Sequence, residues 1–436
     1  MLRSIFVLGL IVVGFYYALQ TPFYALLVYL AYAYFRPEQW LWNNIIPSYF
    51  SFVLGTYVIL ASLFSGQRFI LNKRIILIGV LVIHSFLSIL FSNYFAYGWI
   101  AWTNFFRSML MTYCVIVLVT DFSKLRFVFL ILALFLGVEA AKQGWVYLIT
   151  SPGHENPNRI PFLGDNNGVA VGMLMLVPVI ALLAQTTQRR WARFGFWALL
   201  IGVLYRALST YSRGGFLACL AMGVAYGLRS RQKLRALFGM AIVVGIVLWA
   251  LPEQYWGRMG TITLNENEEG QERSASGRLH FWKVAVAMGK ANPVLGIGHN
   301  CYIAAYDAYD FLRGRYGRNR SVHSSFFGVL AEWGYVGSVL YVLIVFSALR
   351  SCRRIYKLTA KYPTLLHLSQ SAAALETGLV VFIVGGSFLP FQYNEMVWHY
   401  IGFIMVLERL TTQYVVASEH TEDQMSDVAV IGTSVS

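Results

Sequence analysis

Among the ionisable residues inside or at the ends of long apolar runs, Arg107, Glu139, Lys142, Arg206 and Arg213 invite attention. Charge at such depth is costly and usually marks a site or a path. Four bases against one acid would attract an anion. Arg213 is the most suggestive, because Tyr211-Ser212-Arg213-Gly214-Gly215 sets it at a helix start beside two glycines. Glycine permits close backbone approach, and the unpaired N–H groups of a first helical turn favour phosphate. Glu139 and Lys142, at i and i+3, have the equal alternative of pairing with each other. Arg107 and Arg206 have the alternative of snorkelling to the interface.

A proton acceptor for such a site would be a histidine. His323 follows Arg313, Arg315, Arg318 and Arg320 and opens an apolar stripe that closes on Glu332-Trp333-Gly334. A neutral imidazole held there suits general-base work near neutral pH. The four arginines read equally well as a solvated basic face. His154, His280, His299 and His399 fall on the same side of the membrane by the topology below. His84 sits in an apolar run, where a structural hydrogen bond is the simpler reading, and His367 and His420 fall on the opposite side. No HExxH or comparable ligand spacing is present, so no metal site is expected. The four cysteines, Cys114, Cys219, Cys301 and Cys352, lie far apart and form no CxxC pair, so neither a disulfide framework nor a zinc site is expected.

The elements that must hold these groups are membrane helices. The 436 residues are 58% hydrophobic and only 12% charged, with mean hydropathy +0.58. A soluble domain carries roughly 25% charged residues. This composition excludes a soluble enzyme, a disordered chain and a nucleic-acid-binding domain. The net charge of +14 then reflects lysine and arginine left in cytoplasmic loops, with a contribution from an anionic ligand site. Apolar runs fall at 4–19, 21–35, 46–65, 75–92, 101–120, 125–149, 169–185, 193–209, 215–230, 234–251, 336–350, 370–390 and 396–411. The first two are short and meet at Thr21-Pro22; Met1-Leu2-Arg3 enters them without a small-residue cleavage site, so no cleaved leader is expected.

The basic connections at 67–74, 124–126, 189–193, 229–235 and 350–361 alternate with weakly charged ones at 93–100, 150–168 and 210–214. The alternation puts the basic set inside and favours about 12 crossings, with the first two runs counting as one. It divides the chain into a bundle over 1–251, a large outer loop over 252–335, final spans over 336–411 and a cytoplasmic, disordered tail over 412–436. The loop contains a polar segment at 265–270, an amphipathic helix from Arg278, and a tight turn at Gly296-Ile297-Gly298-His299-Asn300. A loop of this length with helical stripes of its own is usually functional. Arg107, Glu139, Lys142, Arg206 and Arg213 all project to the outer leaflet in this arrangement.

The order Tyr211-Ser212-Arg213-Gly214-Gly215, Ser276-Gly277-Arg278 with Trp282, Gly296-Ile297-Gly298-His299-Asn300 and His323-Ser324-Ser325-Phe326 with Glu332-Trp333-Gly334 resembles the O-antigen ligase family. That group comprises O-antigen ligases, O-antigen polymerases and protein O-oligosaccharyltransferases. The stretch through Arg36-Pro37-Glu38 is also similar to exosortase-associated O-glycosylation ligases. The resemblance implies an all-α polytopic, GT-C-like glycosyltransferase of the bacterial inner membrane, with a large helical periplasmic loop before its last spans. It implies Arg213, Arg278 and His323 as the essential residues, and a reaction needing neither metal nor nucleotide. The implied donor is a glycan on undecaprenyl pyrophosphate, and the implied acceptor is lipid A–core. Arg206, Lys142, Arg107, His299, Asp165 and Asn166 are further candidates for contact with pyrophosphate or sugar. A polymerase or protein O-oligosaccharyltransferase would use the same donor with another acceptor. A lipid-linked glycan transporter is the alternative of a different class, but it would carry charge through the full depth of its spans.

Overall fold

The computed structural model describes residues 2–39, 49–67, 69–229 and 275–433. The run expected at 234–251, the polar segment at 265–270, Arg68, the basic positions 230–235, the first residues of the 46–65 run and the His420 side chain lie outside the described residues. Within them the chain is built of helices: α1 (Leu2–Ala18), α2 (Pro22–Phe35), α3 (Phe50–Leu63), α4 (Lys73–Leu90), α5 (Phe95–Leu118), α6 (Phe122–Phe135), α7 (Gly137–Thr150), α8 (Asn166–Thr186), α9 (Arg190–Leu208), α10 (Arg213–Arg229), α11 (Ala275–Ala291), α12 (Tyr302–Tyr309), α13 (Ser325–Thr359), α14 (Leu366–Gly386) and α15 (Glu395–Thr433). Among the described residues, six helices are long and apolar enough to cross a membrane: α4, α5, α8, α9, α13 and α14 with the 3-10 turn at Pro363–Leu365. Three shorter apolar helices, within α1, α2 and α3, accompany them.

The run expected at 125–149 is divided at Leu136, although that residue keeps helical angles (φ −95°, ψ −40°), so the interruption is slight. The tail expected to be disordered from 412 continues α15 as helix to Thr433.

Polar side chains set where several helices start. Asn72 accepts from the N–H groups of Arg74 and Ile75, Asp121 from Lys124 and Asp165 from Gly168, so each satisfies orphan donors of a first turn. The helix α8 is central: 94% of its apolar window is buried, and it packs against α9 and α14. Its sequence, rich in small and β-branched residues, is apolar all round, as a helix enclosed by others must be.

The longest structural constraint lies in α13. Gly334 has φ 67° and ψ −167°, a conformation open essentially to glycine alone, and it breaks the helix within its first third. Carbonyls upstream of the break lose helical donors and must find others. Ala331 and Glu332 receive the backbone N–H groups of Ile297 (3.0 Å) and Gly298 (3.2 Å). Ser88 donates to the Glu332 carbonyl at 2.8 Å, and His84 Nε2 lies 2.9 Å from that of Trp333. The Tyr335 N–H donates to Pro293 O at 2.8 Å. The Gly296–Asn300 turn is thereby sewn into the break, and α4 closes it from the other side. The Glu332 carboxylate adds a link by accepting from Tyr302 N (3.1 Å) and from the Tyr393 hydroxyl.

Charges pin the opposite ends of the helices. Arg229 makes two 2.7 Å bonds to the Glu376 carboxylate, which also accepts from Tyr356. Arg74 joins Glu408 of α15 (3.2 Å) to Ser347 of α13 (2.9 Å). Arg229 closes the 17-residue α10 that Arg213 opens, so this staple is about 25 Å from Arg213.

Replacing Gly334 with alanine forces a Cβ to within 2.6 Å of Pro293 O in addition to the backbone strain. We expect Gly334→Ala to destabilise the protein by about 1–3 kcal/mol, read as a lower thermal midpoint in detergent. Gly79→Ala, inside α4 with nothing within 4 Å, does not lower the midpoint.

Candidate active site

Arg213, Arg278 and His323 come from three separate elements: the first residue of α10, the first turn of α11, and the junction before α13. Each is positioned by local chemistry. Tyr211 adopts φ 55°, and Ser212 then ends the turn into α10. The Ser212 hydroxyl accepts from Gly215 N at 3.0 Å and donates to Asn167 Oδ1 at 2.7 Å, tying the start of α10 to the start of α8. The two glycines after Arg213 therefore serve packing before ligand approach. A Cβ on Gly214 would stand 2.9 Å from Phe388 Cβ, and the N–H of Gly215 is already occupied by the cap.

His323 has φ 49°, a left-handed conformation that few L residues hold without cost. Ser324 follows it in an extended conformation and caps α13 through Phe327 N. This sharp turn aims the imidazole across α11, where its ring centroid lies 6.0 Å from that of Phe281. Arg278 and Phe281 are one turn apart on α11, which brings the guanidinium to the same side.

The electrostatics confirm the neighbourhood. Burial, then the Arg213 charge, lower the affinity of Arg278 for its proton. Burial also lowers the pKa of His323; Arg278 and Arg320 lower it further, and Asp165 opposes them. Arg213 thus acts on Arg278, and Arg278, Arg320 and the exposed Asp165 act on His323, in a half-buried setting. The arrangement can hold a multiply charged anion against guanidinium forks and keep an imidazole neutral beside it.

Asp165 has two tasks, since its Oδ1 caps α8 at 2.8 Å from Gly168 N while its charge reaches His323. Its loop, 151–165, is fixed to α9. Asn156 N donates to Ser209 O (2.8 Å), Gly153 N to the Tyr205 hydroxyl (3.0 Å), and the Tyr211 hydroxyl donates to Gly153 O. Asn166 donates to Glu155 Oε1 at 3.2 Å, so its amide supports this loop.

Several expected contacts are not brought to the cluster. Arg206 is fully buried and does not snorkel, and among the described residues its Nη1 has no hydrogen-bond partner. Its guanidinium donates to Gln143 Oε1 (2.9 Å) and to the Asn158 carbonyl, a structural anchor for the loop. Lys142 pairs with Glu139 at 2.9 Å, as their spacing allowed. Arg107 is exposed on α5, where it donates to Asn104 and lies over the Phe52 ring at 4.9 Å. His299 is enclosed by Phe105, Trp333 and Tyr393, with its ring centroid 4.0 Å from that of Tyr393. Burial pushes its pKa down to about 3, so it is an uncharged packing group in the turn sewn to α13.

His280 is also structural, with Nε2 2.8 Å from Asp310 Oδ1 and both side chains buried. Burial works against the Asp310 carboxylate, but hydrogen bonds from Gly314 N, Leu312 N and His280 hold it below its usual range. Sequence reasoning did not separate Arg320 from Arg313, Arg315 and Arg318. The three others are exposed, whereas Arg320 folds back across Gly317 and acts on His323. The available signal was its distance of three residues from the histidine. Asn167 accepts from the Ser212 hydroxyl.

Residues 198–342 match the family model described as O-antigen ligase. No curated protein matches the chain. The matched segment runs from α9 into α13 and carries Arg213, Arg278, His323 and the Gly334 break. Members of this family are glycosyltransferase-like enzymes of O-antigen ligase or polymerase type, and the six membrane-length helices accord with a multi-pass membrane protein. The match is confined to this segment, which contains all three of these residues, and it is there that the chain is similar to the O-antigen ligase family.

Proposed function

We propose that the protein transfers a glycan from undecaprenyl pyrophosphate to a sugar hydroxyl of lipid A–core at the periplasmic face of the bacterial inner membrane. The observation that carries this reading is the convergence of Arg213, Arg278 and His323 from three elements of an apolar helical protein. In the reaction, the bond from the anomeric carbon to the pyrophosphate oxygen breaks and negative charge grows on the leaving diphosphate. Arg213 and Arg278 bind that diphosphate, and their permanently charged forks stabilise it in a space where water competes weakly. Arg320 adds a third positive charge.

His323 accepts the proton of the attacking acceptor hydroxyl. The new C–O bond forms on the face opposite the departing oxygen, so the anomeric configuration inverts. Burial and the adjacent arginines favour the neutral imidazole that a base must be, while Asp165 stabilises the imidazolium formed as the proton arrives. Metal-independent catalysis follows from assigning charge stabilisation to the arginines. The remaining architecture belongs to the same proposal: about 12 crossings in a GT-C-like arrangement, the 252–335 segment roofing the site, and apolar outer spans flanking the polyprenyl tail.

Purified protein, lipid-linked glycan and lipid A–core test the proposal directly. We expect Arg213→Ala and Arg278→Ala each to lower transfer about a hundred- to a thousandfold, and His323→Ala about a hundred- to ten-thousandfold, with membrane insertion intact. Near wild-type transfer by the His323→Ala variant excludes the base assignment. Replacing lipid A–core with a second lipid-linked glycan, or with a Ser/Thr-bearing secreted protein, separates the ligase from a polymerase or protein O-oligosaccharyltransferase.

The pH dependence carries a sign. Because the folded protein depresses the His323 pKa, the acidic limb of kcat/KM falls below the ordinary histidine value of about 6.5. Arg320→Ala removes one depressing charge, so it should move that limb to higher pH; a shift to lower pH contradicts the arrangement.

A further inference from the structure

Arg278 feels the charge of Arg213, so the elements that carry the two must be held at a set spacing. What lies beneath them is aromatic. Trp282 is one turn beyond Arg278 on α11, and Phe327 is four residues beyond His323 in the first turn of α13. Their rings stack, with centroids 5.1 Å apart and planes 15° from parallel. Phe388, in the turn after α14, approaches Trp282 at 6.3 Å and meets Gly214 next to Arg213. Arg213, Arg278 and His323 thus each stand within four residues of a position that belongs to or packs on one aromatic stack.

We propose that Trp282 is a positioning residue: its ring, clamped between Phe327 and Phe388, fixes the spacing of Arg278 relative to His323 and Arg213. The inference rests on the glycosyl-transfer reading for its consequence, though not for its geometry. The face of the indole is what matters, because among the described residues its buried Nε1 has no hydrogen-bond partner. Offset and stacked aromatic pairs contribute beyond their buried area, which suits them to hold two helices in register. Gly214 completes the device, since any side chain there would push Phe388 into the stack.

The test uses the full chain in lipid nanodiscs. Trp282→Phe keeps an aromatic face and should retain kcat/KM within about threefold, whereas Trp282→Ala should lower it about thirtyfold through kcat, because small misplacements of a catalytic group have large effects. The second readout is the titration of His323 by NMR of labelled histidine, which needs no turnover. The charged groups facing that imidazole are Arg278, Arg320 and Asp165, with Arg213 behind Arg278. Trp282→Ala should raise the His323 pKa as Arg278 withdraws, and should add no further shift in an Arg278→Ala background, the non-additivity expected of a group acting through another.

Equal shifts in both backgrounds would reduce Trp282 to bulk packing and overturn the proposal. So would Trp282→Phe as damaged as Trp282→Ala, which would assign the effect to the N–H. If Trp282→Ala does not fold, Phe388→Leu loosens the floor from the α14 side and should shift His323 in the same direction; no shift there overturns the proposal. A background-dependent shift among the variants, together with wild-type protein that transfers no glycan, would keep the positioning role and reject the glycosyl-transfer reading.

Discussion

The repulsion between Arg213 and Arg278, both half-buried, is a constraint that the elements around them have to meet. Charges of one sign in a medium of low dielectric cannot organise themselves. Their positions have to be imposed by helices whose own placement is settled elsewhere. The apolar packing of α8 against α9 and α14 does part of this, and the capping serine before Arg213 joins α10 to α8. The left-handed turn at His323 and the capping Ser324 do the rest.

The break in α13 illustrates how a polar backbone is accommodated in an apolar molecule. Unpaired carbonyls inside a helix bundle are too costly to leave alone. Here each is met by a donor from a different part of the chain: the turn at 297–298, Ser88 and His84. Residues nearly 250 apart in sequence are joined by single hydrogen bonds. The polar residues of α4 are accordingly part of the frame for α11 and α13, although none of them approaches the arginine cluster.

The helical class and many apolar segments were legible because hydropathy and helix length are local properties. Arg213, Arg278 and His323 were legible through their local sequence contexts and their order. Depth was not. Arg206 and Arg213 look alike in sequence, yet one is consumed by Gln143 and the Asn158 carbonyl while the other stands beside Arg278. His299 looked as available as His323 until the rings of Phe105, Trp333 and Tyr393 closed over it. Burial and partner choice are settled by residues hundreds of positions away, and no spacing rule within a segment contains them. The special backbone of Gly334 was hidden for the same reason, since its neighbours on both sides continue a helical pattern.

The anchoring of the 151–165 loop has a mechanical consequence. Arg206 bolts it to α7 and α9 together, so Asp165 has no private hinge and travels with two helices or stays still. The opposite wall is tethered differently. The strand of chain around Asp310 is held by His280 on one helix and by its own backbone. The two segments are thus restrained by different means, one by a buried guanidinium shared between two helices and the other by a buried imidazole–carboxylate pair with two backbone N–H groups.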